Sequence, residues 1–207
     1  MAITNGYTTL SGIKAYMGIS GSAQDDNLER AVETASRQID KIAGRKFWID
    51  GSVVVRTFTP VTTYYLDVPD IATLTGLIVK LDTNDDGSYD TTLTINTDFY
   101  VTPANAEDES LPYDCIKILD TRSSERFDTT IVNNVQVTAK YGFASVPKDI
   151  ETACLIQALR LFKRKDTPFN TYGSDSTGVS ELFSKVDPDA LQLIKGYKKT
   201  TLTGQII

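Results

Sequence analysis

Between two apolar runs of the chain stands Asp82-Thr83-Asn84-Asp85-Asp86-Gly87, which matches the first half of a calcium loop of the D-x-[DN]-x-[DN]-G type. Such a loop works because oxygen donors at alternate positions converge on one hard cation, which here names Asp82, Asn84 and Asp86. The twelfth position, where a complete loop carries a bidentate Glu, is Leu93. An Asp/Asn/Gly cluster between GLIVKL and TLTI is also what a hairpin turn needs, because these residues accept positive φ. The turn is the preferred reading, and clustered carboxylates leave calcium as the open alternative. No cofactor is indicated.

Arg160, Lys163, Arg164 and Lys165 form the densest basic cluster, near the end of a helical pattern where cations complement the helix dipole. A solvated helix end is the default; contact with DNA or an acidic partner is the functional alternative. Glu107-Asp108-Glu109 sits in the turn-rich stretch TPANAEDESLPYD. Carboxylate catalysis needs two groups in different environments across a cleft, and adjacent residues in a polar loop share the same water. Phe47, Trp48, Tyr64 and Tyr65 read as core or interface aromatics rather than stacking platforms. The chain has no histidine, which removes the usual general base, the commonest metal ligand and every Ser-His or Cys-His nucleophile. Cys115 and Cys154 are too few for a disulfide framework or zinc site and read as buried, inert thiols.

The elements that must carry these groups divide the chain in three. Residues 1–52 read as helical. A short helix runs from about Thr9 to Met17, with Leu10, Ile13 and Met17 on one face. A longer one runs from Asp25 to about Arg45, with Leu28, Ala31, Val32, Ala35, Ile39 and Ile42 spaced as one apolar stripe. Residues 53–145 change character: VVVRTF, TYYL, GLIVKL, TLTI, DFYV, CIKIL and IVNNVQVTAKY are β-branched and aromatic runs parted by Pro, Gly, Asn and Asp. This is an antiparallel unit. Val135, Val137 and Ala139 alternate with Gln136, Thr138 and Lys140, which implies one buried and one wet face. Residues 146–207 return to helix at Val146-Pro147-Lys148-Asp149, continuing to about Lys165 through Ile150, Ala153, Cys154, Ile156, Gln157, Leu159 and Leu161. An exposed loop at 166–180 follows. A last helix starts at Asp187-Pro188 and carries Leu191, Leu193 and Ile194 to about Lys199, leaving the tail TTLTGQII without a pattern.

The stripes at 28–42 and 150–161 each need a partner and are expected to pack on each other. The fold class is therefore α+β: a small helical bundle built from both chain ends, with a large antiparallel β insertion whose ends lie close together. The 207 residues suffice for a core without metal or disulfide, and 41% hydrophobic and 23% charged residues are ordinary for a globular protein. Charge is uneven. Residues 1–52 carry six of each sign, residues 53–145 six basic against fourteen acidic (−8), and residues 146–207 nine against seven (+2). The amino terminus lacks a signal-peptide run and no stretch approaches the roughly 20 apolar residues of a membrane span, so an intracellular product without membrane contact is expected.

The order of three segments is similar to the head-to-tail connector, or adaptor, family of long-tailed bacteriophages. The first is TTLSGIKAYMGI followed by a polar turn and DDNLERAVETASRQIDKIAGRKF; the second is YGFASVPKDIETACLIQALRLFKRKDTPF; the third is VDPDALQLIKGYKK. In that family a YG-x-x-x-VP-x-D-I step leads from the last strand into a long helix and a DPD step into the final one. The matching residues are Tyr141, Gly142, Val146, Pro147, Asp149 and Ile150, then Asp187, Pro188 and Asp189. The β unit departs from the pattern, being larger than the inserts of the smallest members.

The resemblance implies a non-enzymatic subunit of the virion neck, made in the host cytoplasm, that forms a ring of twelve under the portal protein. The carboxy-terminal segment with Leu202, Ile206 and Ile207 would dock on the portal, and loops of the β unit would meet the next neck or tail-completion protein. DNA would pass through the channel without sequence-specific binding. Two readings compete: a soluble calcium-dependent binding module, and an enzyme acting through carboxylates, which lacks any phosphate-cradling, nucleophile-elbow or metal-ligand motif. Another neck or tail structural role is the nearer alternative.

Overall fold

The computed structural model describes residues 3–164, 171–172, 181–182 and 186–199. Helix α1 (Leu10–Met17) starts where Thr9 can cap it: its Oγ1 accepts from the Gly12 N–H at 3.0 Å. Helix α2 (Asp25–Ala43) carries Asp25 and Asp26 in its first turn and ends at Gly44, whose N–H donates to the Asp40 carbonyl at 2.8 Å. Its buried stripe is Leu28, Ala31, Val32, Ala35, Ile39 and Ala43. Ile42, assigned to the stripe from spacing, is half-buried, and Ala43 takes the core position.

The two ends of the chain, within Met1–Gly44 and Val146–Lys199, form one compact unit, and Arg45–Ser145 forms another. The helical material thus stops at Gly44, eight residues before the break at Ser52 suggested by composition. In the first unit α2 packs on α3 (Lys148–Lys163) through small side chains. Ala31, Ala35 and Ser36 of α2 and Ala153, Cys154 and Ala158 of α3 are all buried, so the backbones approach closely. The Ser36 hydroxyl, 3.4 Å from Cys154 Sγ, donates to the Val32 carbonyl and accepts from the Tyr7 N–H, so it is satisfied in its buried place. Pro147 stands at the N-cap of α3, just outside the helix that begins at Lys148.

Helix α4 (Pro188–Lys195) packs on α3 and α2. It buries Ala190 and Ile194, whereas Leu191, grouped with Leu193 and Ile194 as an apolar residue of the helix, is exposed. The helix ends at Lys195 rather than near Lys199, because the chain turns to let the Lys199 N–H donate to the Ala43 carbonyl at 2.8 Å. Within the segment read as a loop, Thr171–Tyr172 is a short strand paired with Glu181–Leu182. The rest of that loop, Lys165 and the tail with Leu202, Ile206 and Ile207 lie outside the described residues.

The second unit is an antiparallel sheet of β1 (Val54–Phe58), β2 (Tyr65–Leu81), β3 (Thr91–Leu93), β4 (Phe99–Thr102), β5 (Tyr113–Ile118) and β6 (Val135–Tyr141). Its order is β1-β6-β2-β5-β4, with β3 beside the end of β2. TYYL and GLIVKL, which read as separate strands, belong to one strand of 17 residues. The first part of β2 pairs with β5 and the later part with β6. Register shifts near Asp67–Ile71 and Thr73–Ile78 mark the bends, at Pro69, which has no N–H to give, and Gly76, with φ +83°. A β-carbon at Gly76 would stand 2.9 Å from the Val53 side chain.

Strand β6 follows the alternation of its sequence, with Val135, Val137, Ala139 and Tyr141 buried. These join Leu66, Val68, Ile71, Val79, Ile116 and Val101 in the main core, closed by Phe127 and Ala106 from loops. The two ends of the insertion meet, as its pattern suggests. The Asp50 N–H donates to the Tyr141 carbonyl at 2.9 Å, and the buried rings of Phe47 and Phe143 are 4.8 Å apart. Gly142 makes this closure possible. At φ +110° its missing side chain leaves room for the Trp48 carbonyl, which a β-carbon would meet at 1.8 Å.

Candidate functional site

The Asp82–Gly87 segment lies in the connection from β2 to β3, and its donors are turned inward on the loop itself. Asp82, buried, accepts from the Gly87 N–H at 2.9 Å and the Asn84 N–H at 3.3 Å. The Asn84 amide donates to Asp86 at 3.0 Å, and the other Asp86 oxygen accepts from the Ser88 N–H. Asp85 and Gly87 take the positive φ angles that the composition anticipates. This is the geometry of a side-chain-capped turn. Among the described residues no group of three or more Cys, Asp or Glu is placed to hold a metal ion, and the side chains of Asp82, Asn84 and Asp86 are engaged in hydrogen bonds within the loop. Asp82 instead lies on the wall of an open cavity of about 350 Å³ that Thr63, Arg126, Asp128 and Asn134 also line. Two hydrogen bonds from Thr130 hold the Asp128 carboxyl below its usual range.

Among the described residues of the basic cluster, Arg160 differs from Lys163 and Arg164 in burial. Arg160 is half-buried, and its guanidinium lies 3.2 Å from the Asp187 carboxylate, the same side chain that caps α4 by accepting from the Asp189 N–H. The Asp187 N–H donates to the Gln157 amide oxygen at 3.0 Å, and the Gln157 amide donates to Gln38 at 2.8 Å. This chain of polar contacts fastens the start of α4 to α3 and α2, which gives Arg160 and the DPD step a structural task. Lys163 and Arg164 are exposed at the end of α3.

The aromatic candidates divide. Phe47 is core, whereas Tyr64 and Tyr65 are exposed, with the Arg126 guanidinium 5.1 Å and the Lys117 ammonium 5.2 Å from their ring centres. The Lys46 ammonium lies 5.1 Å from the centre of the Trp48 ring. Glu107, Asp108 and Glu109 are exposed together in the loop after β4. Both cysteines are buried, and burial pushes each thiol up to about 11. Tyr141 is raised to about 12 by its burial.

Two features escape the sequence reading. Arg45, which reads as a helix end, lies with its Nε 3.5 Å from the buried Asp70 carboxylate; the only signal was an Asp inside the apolar run YYLDVPDIATL. The wet face of the sheet also carries apolar side chains. Val55, Thr138 and Ile78 are in register across β1, β6 and β2, and Val55 and Ile78 are exposed there, with Val53 close by.

No protein-family model matches the chain, and no curated protein matches it. Solved structures share its fold. A chain from the neck of an empty gene transfer agent (GTA) particle, computed with C6 symmetry, aligns with a TM-score of 0.54 at 14% identity, covering 100% of this chain and 97% of that one. A chain from the virion of a native gene transfer agent particle aligns with the same TM-score at 16% identity and the same coverage.

Proposed function

We propose that this chain is a structural, non-enzymatic subunit of the neck of a phage-like particle: a ring-forming connector that docks on the portal and links it to the next neck or tail protein. The observation that carries the reading is the end-to-end likeness to a chain of a gene transfer agent neck, which covers both units rather than one common domain. The segment order of the sequence supports it independently, because the YG, VP-x-D-I and DPD steps have specific structural tasks at Gly142, at the start of α3 and at the cap of α4. In this reading the helical unit lines the ring, loops of the β unit face the next protein, and the segment with Leu202, Ile206 and Ile207 reaches the portal. The ring is a dodecamer on the portal, and DNA passes through it without sequence-specific contact. Contact of the 160–165 basic cluster with an acidic partner or DNA is part of this proposal.

The test is to mix the purified chain with the portal of its own particle and image the product by electron microscopy. A collar of added density on the tail-facing side of the portal is expected, with its subunits countable. A bare, intact portal would overturn the docking role.

A further inference from the structure

We infer that neighbouring copies of this chain join through their β units, the β1 end of one sheet meeting the β4 end of the next. The inference rests on the ring reading above. A cyclic ring is built from heterologous contacts, in which two different surfaces of the same chain meet. The sheet offers two such surfaces at its opposite ends, since its order places β1 at one edge and β4 at the other.

The β1 end is apolar and basic. Val55 and Ile78 are 54% and 44% exposed on the wet face, in register through Thr138, and Val53 beside them is 46% exposed. Lys80 and Lys140 stand on the same face, Lys80 in the row Thr57–Gln136–Lys80 and Lys140 two residues beyond Thr138. Neither β1, nor β6, nor residues 72–81 of β2 contains an acidic residue, although the unit as a whole is strongly acidic. The β4 end has the opposite sign. The loop leaving β4 presents Glu107, Asp108 and Glu109, all exposed.

These surfaces complement each other and not themselves. A two-fold contact between β1 ends would set Lys80 and Lys140 against their own copies, and one between β4 ends would oppose three carboxylates to three; like-charge juxtaposition costs several kcal/mol. A head-to-tail contact covers the exposed valines and isoleucine while pairing opposite charges. It also protects the edge strand β1, whose outer backbone groups otherwise invite unspecific strand pairing.

The experiment uses two full-length variants, K80E/K140E and E107K/D108K/E109K, assembled on the portal and imaged beside the wild type. Each alone opposes like charges at every junction, and ring yield should fall about tenfold or more. Mixed one to one they should recover rings, because strict alternation restores an opposite-charge pair at every contact. Carbodiimide treatment of assembled wild-type protein, which needs no variant, should join Lys80 or Lys140 of one copy to the 107–109 loop of another. Single variants that ring as well as the wild type, a mixture of normally melting variants that fails to recover, or absence of those cross-links would overturn the inference. If the wild type forms no ring on the portal, it is the ring reading itself that falls.

Discussion

The helical unit and the β unit solve the same problem, burying a core, from opposite sequence logic. The first is assembled from segments more than a hundred residues apart, and small side chains such as Ala35, Ser36, Ala153 and Cys154 let its helices meet closely. A polar chain from Gln38 through Gln157 and Asp187 to Arg160 then fixes its last helix. The second is a continuous stretch whose sheet bends over its own loops, and whose ends are clasped by Phe47 against Phe143 and by Gly142 against the Trp48 carbonyl. The difference teaches where each is vulnerable: the helical unit at its long-range side-chain contacts, the β unit at a few backbone positions that no side chain can replace.

The largest effect is expected at such a backbone position. Gly142→Ala places a β-carbon where the Trp48 carbonyl oxygen already stands, and its cost should be about 4 kcal/mol or more, read as loss of cooperative unfolding or a collapsed midpoint in denaturant. A near-neutral result would mean that the clasp of the β unit is loose. In the helical unit the corresponding break is Ile39→Ala, which empties a fully buried site of α2 and should cost about 2–5 kcal/mol in the same titration.

Asp187→Ala removes both the cap of α4 and the partner of Arg160 and should cost about 1–2 kcal/mol. Asp187→Asn keeps an oxygen for the Asp189 N–H and should recover most of that loss. If Asn does no better than Ala, the ion pair rather than the cap holds the helix.

Alkaline pH separates the units more gently. Burial pushes each thiol up to about 11 from an ordinary value of 9, one in each unit. The unfolded chain therefore ionises first; stability is complete below pH 9 and falls as pH rises toward 11. Melting temperature should decline over that window, and Cys154→Ala and Cys115→Ala should each shallow the decline. The smallest response should come from calcium: millimolar addition is expected to leave the melting temperature unchanged, because Asp82 is committed to the Gly87 and Asn84 amides. A rise with calcium concentration would revive the calcium-module reading.

Helical periodicity was legible because one stripe must face one way, so Leu28 through Ile39 could be placed from spacing alone. Its margins were not: Ile42 against Ala43 and Leu191 against Ala190 differ by one residue, about 100° of rotation, which only the packed partner decides. The strand runs were legible individually, but joining TYYL to GLIVKL across Pro69 and Gly76 depends on β5 and β6 pairing with successive parts of one strand. Charge counts revealed an acidic β unit without revealing that the acid is absent from β1, β6 and the later part of β2, since that separation exists only once strands are ordered in space. The pairing of Arg160 was not legible in the 160–165 cluster, because adjacency along a helix says nothing about Asp187, 27 residues away.

The most direct test of the neck assignment is a density map of the particle that carries this chain, detailed enough to fit the helical and β units separately. The account predicts repeated copies of both units around the particle axis between head and tail. Fitting of both units into the capsid shell or the tail tube, with none at the neck, would contradict it.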